Sequence, residues 1–365
     1  MATTFAKWII LTILSASMRP KILIHAQQVP CFFIFGDSQF DNGNNNALPT
    51  FAKANYLPYG IDYPASLPTG RFTNGKNIPD FLAQLLGFPN SIPPFVSRGS
   101  SDVLKGLNYA SGAAGILDSS GILLGDRFSM NRQLANHAAA IGQIAALLGN
   151  PTAADSYLRR CLYVVNMGSN DYINNYYQKP LPSLFSLLTP DAFANLLIET
   201  FSRQLRTLYS SGARKVAVFG IGLIGCIPQE LSLYPITNGS PCVDAINIAV
   251  GLFNNKLVSL INDLNTILPN AQFTYINSTN IALGDPSLTG IKVSNAACCE
   301  VQTEGAPAPG QCVPNGSVCG DRDEYIFFDN YHPTQVSYNV TASRSYKTLL
   351  PADAFPVGIQ RLVQQ

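Results

Sequence analysis

The chain has 365 residues, enough for two average domains or for one large α/β domain with long insertions. Apolar residues make up 47% of the sequence and charged residues only 12%, a composition that argues against disorder and coiled coil. The 23 basic and 22 acidic residues nearly cancel and form no basic cluster, so we expect no nucleic-acid partner. Only three histidines occur, His25, His137 and His332, which leaves little material for a metal site and few candidates for a general base.

Residues 1–26 have the pattern of a signal peptide. Lys7 precedes an apolar stretch at residues 8–18, and the small residue Ala26 stands before two glutamines. Cleavage near Ala16 also fits, and the alternative is an N-terminal extension that stays on the chain. No apolar stretch reaches the roughly 20 residues of a membrane span. We therefore predict a secreted protein whose mature chain, residues 27–365, is a single domain.

Short apolar runs alternate with stretches at helical spacing along the mature chain. Runs typical of strands buried on both faces cover residues 31–35, 162–167, 216–221 and 273–276. Apolar residues recur at helical spacing, as Phe193, Leu197, Phe201, Leu205 and Leu208, and then as Ile246, Phe253, Leu257, Leu260 and Leu264. Because parallel neighbours need a crossover connection, this alternation predicts a three-layer α/β domain with a parallel sheet.

Polar residues follow two of the predicted strands, at the edge where ligands collect in a parallel sheet. Ser38 follows the first strand in the sequence Gly-Asp-Ser-Gln-Phe, which lacks the second glycine of a nucleophile elbow. Asn170 follows the second strand, and its amide can donate a hydrogen bond into the same crevice. Taken alone, the serine segment is more typical of a polar turn after a strand.

Near the C-terminus, Asp329 and His332 lie three residues apart just before a helical stretch. At this spacing the carboxylate can fix the tautomer of the imidazole while the other ring nitrogen faces a nucleophile. His137, in contrast, stands beside Leu134 and Ile141 on a helical stripe. We therefore interpret His137 as a packed or surface helix residue and His332 as the candidate base.

The sequons and the cysteines both favour export. Four glycosylation sequons occur, at Asn238, Asn277, Asn315 and Asn339. Eight cysteines are a high count for a cytosolic chain of this size, and their spacing matches no zinc motif. Structural disulfides are therefore the favoured interpretation of the cysteines.

Four sequence blocks together resemble the plant-type branch of the GDSL esterase/lipase family, also called SGNH hydrolases. They are Phe-Gly-Asp-Ser at 35–38, Asn-Tyr-Ala-Ser-Gly at 108–112, Gly-Ser-Asn-Asp-Tyr at 168–172 and Asp-x-x-His-Pro-Thr at 329–334. The resemblance covers nearly the whole mature chain. It implies a flavodoxin-like α/β/α domain with a central parallel sheet of about five strands, and a hydrolase that needs no metal or organic cofactor.

The resemblance also implies the roles of the site residues. Ser38 is the expected nucleophile, His332 its general base and Asp329 the residue that orients the histidine. The oxyanion would be held by the backbone N–H groups of Ser38 and Gly112 and by the Asn170 side-chain amide. Each donor would stabilise the charge that develops on the carbonyl oxygen.

Other polar and aromatic residues near these blocks receive supporting roles. Serine chemistry needs only one carboxylate, so we interpret four further polar residues as braces of the loops: Asp37, Asp41, Asn44 and Asp171. The loop at residues 55–72 is rich in aromatic residues, namely Tyr56, Tyr59, Tyr63 and Phe72. These rings suggest an apolar or amphipathic acyl group, although tyrosine faces also stack on sugars.

The cysteine positions predict specific pairs. Cys226 and Cys242 flank one connecting segment and are expected to pair with each other. Cys298 and Cys299 would be strained if bridged to one another, so we expect them to reach the two cysteines across the next loop, Cys312 and Cys319. Cys31 and Cys161 precede neighbouring strands of a flavodoxin-like sheet, where either a bond or two buried thiols fits.

Three functions remain open at this stage. The first is a secreted, monomeric hydrolase of lipid or other acyl esters, acting in the cell wall or apoplast. The second is an acyltransferase or deacetylase that acts on cell-wall glycans or polyesters with the same residues. The third is a catalytically silent binding protein, which is disfavoured because all the functional positions are occupied.

Overall fold

A computed structural model describes residues 26–365 except 181, 235, 237, 238 and 285–289. The predicted leader, apart from Ala26, and the Asn238 sequon therefore lie outside the described residues. The strands are β1 Phe32–Gly36, β2 Leu162–Asn166, β3 Lys215–Phe219, β4 Gln272–Ile276, β5 Val293–Ala297, β6 Tyr325–Phe327 and β7 Ala354–Phe355. The helices are α1 Ile78–Leu85, α2 Met130–Leu148, α3 Pro151–Leu158, α4 Ser169–Asp171, α5 Pro190–Ser210, α6 Pro228–Leu233, α7 Asp244–Ile267, α8 Ser278–Ala282, α9 Gln335–Tyr346 and α10 Ile359–Gln364.

The central sheet has the strand order β1-β2-β3-β4-β7. The first four strands are the four apolar runs, and they pair in parallel, whereas β7 is antiparallel to β4. Residues 105–111 run beside the free edge of β1, where the Phe32 N–H donates to Lys105 and the Ser111 N–H donates to Gly36. The mostly parallel five-stranded sheet is therefore confirmed, with one short antiparallel strand at its edge.

The core lies on both faces of this sheet, because successive residues of a strand point to opposite sides. In β1, Phe33 and Phe35 face α2, α5 and α7, while Phe32 and Ile34 face α1, α9 and α10. All residues of β1 and β2 are buried, which is why these strands are continuously apolar up to their last residues. Burial of each large side chain contributes about 1.5–3 kcal/mol to stability, so burial strongly stabilises this pair of strands.

Register brings the ends of β1 and β2 to the same height. Gly36 is opposite Asn166, so the segments that carry Ser38 and Asn170 leave the sheet side by side. The chain turns from β2 into α4 at Gly168, whose φ of 127° is rarely adopted by other residues. A Cβ at this position would also lie 2.7 Å from Ile221 Cδ1, so the turn needs glycine.

Four disulfides join all eight cysteines. Cys226 pairs with Cys242, Cys298 with Cys319 and Cys299 with Cys312, which confirms the predicted pairs. Of the two alternatives for Cys31 and Cys161, the structure has the bond, with a Cα–Cα distance of 4.8 Å. The N–H groups of Cys298 and Cys299 donate to Phe328, so the cystine-rich loop is fixed against the residue before Asp329.

Candidate active site

Ser38, His332 and Asp329 form a continuous hydrogen-bonded row at the carboxyl edge of the sheet. Ser38 Oγ lies 2.7 Å from His332 Nε2, and His332 Nδ1 lies 2.7 Å from Asp329 Oδ2. Ser38 is half-buried in the turn after β1, whereas the Asp329 and His332 side chains are almost completely buried just before α9. Ser38 and His332 are 294 positions apart in the chain, and the fold brings them together as the sequence predicts.

The Asp329 carboxylate is held by backbone and side-chain donors. Its Oδ1 accepts the N–H groups of Tyr331 and His332 at 2.8 and 2.7 Å. Its Oδ2 accepts the Tyr59 hydroxyl at 2.5 Å, and that hydroxyl oxygen in turn accepts the Cys312 N–H at 3.1 Å. A carboxylate with this many donors stays in one orientation, and so does the imidazole bonded to it.

Asp41 and Asp171 brace the loops around the site, as interpreted from the sequence. Asp41 accepts the N–H groups of Gly43 and Asn44 at 2.7 Å each. Asp171 accepts the N–H of Ile116 at 2.8 Å and the Ser120 hydroxyl at 2.7 Å. Burial raises the pKa of each carboxyl to about 6, and these hydrogen bonds oppose the rise.

The other two brace residues differ in their surroundings. The Asn44 amide donates to the carbonyls of Asn108 and Ala110, which fixes the segment beside β1. Asp37 accepts the Gln39 N–H at 3.0 Å and lies behind Ser38. Burial raises the pKa of Asp37 to about 7, while the nearby His332 favours its ionised form. Asp37 therefore supplies a carboxyl near the histidine that changes charge close to neutral pH.

The predicted oxyanion donors are not all free. The Ser38 N–H has no hydrogen-bond acceptor among the described residues, and Asn170 uses one amide N–H on the Ala114 carbonyl at 2.9 Å. The Gly112 N–H, in contrast, donates to Asp41 Oδ2 at 3.0 Å. The next N–H, that of Ala113, has no acceptor in the described part of the chain. The structure thus places Gly112 beside the site with its amide engaged.

Two rings of the aromatic loop, those of Tyr59 and Phe72, pack against the triad. Tyr59 and Phe72 are completely or almost completely buried, and the Phe72 ring centroid lies 4.9 Å from that of His332. Arg71 fixes this segment through a buried ion pair with Asp80 at 2.6 Å and through its stacking on Tyr63. Of the aromatic residues considered as substrate contacts, Phe72 borders the histidine, whereas Tyr59 is occupied by Asp329.

His137 is a fully buried residue of α2, which confirms its interpretation as a packed helix residue. Its Nδ1 is 3.1 Å from the Tyr109 hydroxyl, and burial lowers its pKa to about 3.

Two further findings concern other parts of the described chain. No cluster of three His, Cys, Asp or Glu residues there has a metal-binding arrangement. No helix among those residues has the length and hydrophobicity needed to cross a membrane.

Sequence reasoning missed two features of this site. Tyr59 appeared as one ring of an aromatic loop, although its hydroxyl contacts Asp329, 270 positions away. The free N–H of Ala113 is next to the residue that the sequence block suggests. The run of small residues at 110–115 is the signal in the sequence for a tight turn there. Such a run does not show which N–H group of the turn lacks an acceptor.

Comparison with known proteins agrees with this geometry. The family model described as GDSL-like lipase/acylhydrolase matches residues 32–345. Three Arabidopsis thaliana proteins, each named a GDSL esterase/lipase, align over most of both chains. One is 44% identical and covers 100% of each chain, a second is 43% identical over 96% of this chain and 97% of its own, and a third is 45% identical over 98% of each.

Proposed function

The chain belongs to the GDSL-like lipase/acylhydrolase family and is a carboxylic ester hydrolase, and we propose that it works through an acyl-enzyme on Ser38. One observation carries this proposal. The serine hydroxyl is 2.7 Å from a histidine whose other nitrogen is 2.7 Å from a buried carboxylate. This arrangement can remove the serine proton and stabilise the imidazolium that results.

In the first half of the reaction, Ser38 Oγ attacks the ester carbonyl carbon while its proton moves to His332 Nε2. The carbonyl electron pair moves onto oxygen, and the Ser38 N–H and the Asn170 amide donate to that oxyanion. When the tetrahedral intermediate collapses, the carbon–oxygen bond to the alcohol breaks. His332 then returns the proton to the leaving alkoxide oxygen.

In the second half, water takes the place of the alcohol. His332 accepts one proton from the water while the water oxygen attacks the acyl carbon. The same donors hold the second oxyanion. Collapse breaks the bond to Ser38 Oγ, which recovers the proton from His332, and the carboxylic acid leaves. Throughout both halves, Asp329 holds the ring in one tautomer without itself taking a proton.

Replacement of the nucleophile tests the proposal. Ser38→Ala should lower ester hydrolysis by at least about 10³-fold and abolish labelling by a fluorophosphonate probe. Ser186→Ala is the control, because this exposed hydroxyl bonds only to the Ser183 carbonyl. Activity of Ser38→Ala within tenfold of the parent enzyme would contradict the proposal.

The substrate class and the acceptor need a separate experiment. An acyltransferase or a deacetylase of glycans or polyesters would use the same three residues, and only the molecule that attacks the acyl-enzyme or carries the acyl group differs. We expect activity on p-nitrophenyl esters, with chain-length preference measured beside acetylated xylan and pectin. Transfer of the acyl group to an added alcohol in preference to water would favour the acyltransferase instead.

We also propose that the protein is secreted. All eight cysteines are paired in disulfides, which persist in oxidising compartments. The sequon asparagines Asn315 and Asn339 are exposed, and Asn277 is half-buried at the start of α8. Non-reducing peptide mapping of protein recovered from culture medium, before and after glycosidase treatment, should detect the four bonds and occupied sequons. Retention of the protein inside the cells, with free thiols and unmodified asparagines, would contradict secretion.

A further inference from the structure

We propose that the backbone N–H of Ala113, rather than that of Gly112, is the third donor of the oxyanion hole. The inference rests on the proposed acyl-enzyme mechanism and assigns one atom within it. An oxyanion donor must be unoccupied before the substrate binds, because a bond to another acceptor would have to break during the reaction. The two adjacent amides differ in this respect.

The Gly112 amide is engaged by an anionic acceptor. Its N–H donates to Asp41 Oδ2 at 3.0 Å, and the other oxygen of that carboxylate is held at 2.7 Å by both Gly43 and Asn44. A hydrogen bond to a buried carboxylate is among the stronger ones in proteins. Gly112 therefore connects its loop to the loop of Ser38 instead of presenting a donor to the substrate.

The Ala113 amide is left free by an unusual backbone conformation. The Ala114 N–H donates to the Ser111 carbonyl at 3.1 Å, which closes a turn whose third residue is Ala113. Ala113 has a φ of 67°, a value usually reserved for glycine in such a turn. Strained backbone of this kind persists where the surrounding structure enforces it, and it is concentrated at functional sites. Here the Ala113 N–H is left without an acceptor among the described residues.

The neighbours of Ala113 fix the position of this residue near the segments of Ser38 and Asn170. The preceding residue is bonded to Asp41, three positions after Ser38, and the carbonyl of the following residue accepts the Asn170 amide at 2.9 Å. Ala113 is thus held between the segments that carry the other two donors. It is only 4% exposed, so a free N–H in this position is shielded from bulk water.

Replacement of single peptide bonds by ester bonds distinguishes the two amides. Lactic acid in place of Ala113 removes that N–H and weakens the Gly112 carbonyl as an acceptor for the Asn45 amide, and glycolic acid in place of Gly112 is the matched control one residue away. We expect the ester at 113 to lower kcat by roughly 10² to 10³ with little change in KM, the loss typical of one oxyanion donor. The ester at 112 should lower thermal stability and leave kcat within about tenfold. Equal losses of kcat, or a larger loss at 112, would overturn the assignment.

A structure of the adduct formed with a p-nitrophenyl phosphonate provides a test that needs no variant. The phosphonyl oxygen on Ser38 should lie within about 3.1 Å of the Ala113 nitrogen, with the bond from Gly112 to Asp41 intact. An oxygen bonded to the Gly112 nitrogen would overturn the inference while the proposed function stands. Absence of any adduct on Ser38 would instead contradict the proposed function.

A separate contact carries a second inference: the structure assigns Tyr59 as a positioning residue for the triad. The Tyr59 hydroxyl donates to Asp329 Oδ2 at 2.5 Å and accepts the Cys312 N–H at 3.1 Å. Cys312 is in turn fixed by its disulfide to Cys299. A row of donors therefore runs from the cystine-rich loop through Tyr59 to the carboxylate that holds His332.

This row affects how strongly Asp329 attracts the imidazolium. Each N–H or O–H donor stabilises the negative charge of the carboxylate. Removal of the Tyr59 hydroxyl should therefore strengthen the attraction between Asp329 and the imidazolium, and it should favour protonated His332. The other titratable groups facing Asp329 or His332 are Asp37, Tyr56, Tyr331 and Tyr338. They are unchanged in Tyr59→Phe, which keeps the ring in its contacts with Phe72 and Phe328.

The pH profile of kcat/KM tests this role. We expect Tyr59→Phe to lower kcat/KM and to shift the acid limb to higher pH by roughly 0.5 to 1 unit. Tyr209→Phe is the control, because its hydroxyl donates to the Pro269 carbonyl at 2.9 Å and is not part of this row. Its acid limb should stay in place. A lower rate in Tyr59→Phe with an unshifted limb, or equal shifts in both variants, would reduce Tyr59 to a packing residue.

Discussion

His332 and His137 are both buried, but they lie in regions with different polar surroundings. His332 is at the carboxyl edge of the sheet, bonded to Asp329 on one side and to Ser38 on the other. His137 is between α2 and the sheet, where rings of β1 and β2 surround it and the Tyr109 hydroxyl is its one hydrogen-bond partner in the part of the chain that the structure describes. Its Nε2 is buried and has no hydrogen-bond partner among the described residues.

The difference shows that burial by itself gives a histidine no catalytic role. In the core, desolvation opposes the charged ring and lowers the pKa of His137 to about 3. At the sheet edge, the Asp329 carboxylate lies against the ring and, in the proposed mechanism, compensates the charge that His332 acquires from the serine proton. We therefore expect a buried imidazole to act as a base only where a fixed anion lies beside the ring and stabilises the imidazolium that forms.

The largest expected effect separates the two regions directly. His332→Ala should lower kcat/KM by at least about 10³-fold, because among the described residues it is the His332 ring that bonds the Ser38 hydroxyl. His137→Phe should keep kcat within about threefold at a temperature where the variant is folded, although loss of the Tyr109 bond lowers its stability. Esterase assays on both variants, with melting curves, test the comparison. Similar losses of kcat in the two variants would contradict the proposed difference in role between His332 and His137.

A second prediction concerns donors instead of bases. Asn170→Ala should lower kcat by roughly 10² to 10³ with a smaller change in KM, since its amide donates to charge that appears only in the transition state. Asn265→Ala is the control, because that amide bonds the backbone of Phe273 in β4. It should affect stability alone. If the whole effect of Asn170→Ala were on KM, the amide would be a ground-state binding group.

The pH dependence of activity sharpens the role of His332. The base must be neutral to accept a proton, so kcat/KM should rise with pH along an acid limb and then level off. Ionised Asp37 would favour the imidazolium, but burial raises the pKa of this carboxyl to about 7 and keeps it largely neutral below that pH. Asp37→Asn should therefore shift the acid limb only slightly, toward lower pH, and His137→Phe should leave it in place. Activity that falls from pH 5 to 8 would contradict a histidine base.

The smallest effect concerns stability in the core region. The pKa of folded His137 is about 3, below the ordinary value of 6.5, so between these values the unfolded chain binds one proton more than the folded chain. The free energy of unfolding should therefore fall with decreasing pH by about 1.4 kcal/mol per unit from this group. Buried carboxyls with raised pKa change the free energy of unfolding in the opposite direction. The parent and His137→Phe contain the same carboxyls, so this contribution cancels in their difference. The difference between parent and variant in chemical denaturation from pH 7 to 4 isolates the histidine, and a constant difference would contradict its burial as a neutral ring.

The parts of the fold that could be predicted are those in which local composition reflects burial. Strands β1 to β4 are covered on both faces, so they are continuous apolar runs that stand out in the sequence. The short strand β7 and the parallel pair β5 and β6 are less regular and only partly buried, so no run marks them. The cysteine pairs were predictable because short loops and adjacent residues restrict which sulfurs can meet.

The sequence by itself was enough to propose Ser38, Asn170, Asp329 and His332 as the site residues, because the blocks that contain them together resemble one family. Only the tertiary structure decided that Gly112 donates to Asp41 while Ala113 stays free, and that Tyr59 contacts Asp329. The physical reason is direction and distance. Neighbouring amides of one turn point to different sides, and a contact between residues 270 positions apart leaves no local pattern in the chain.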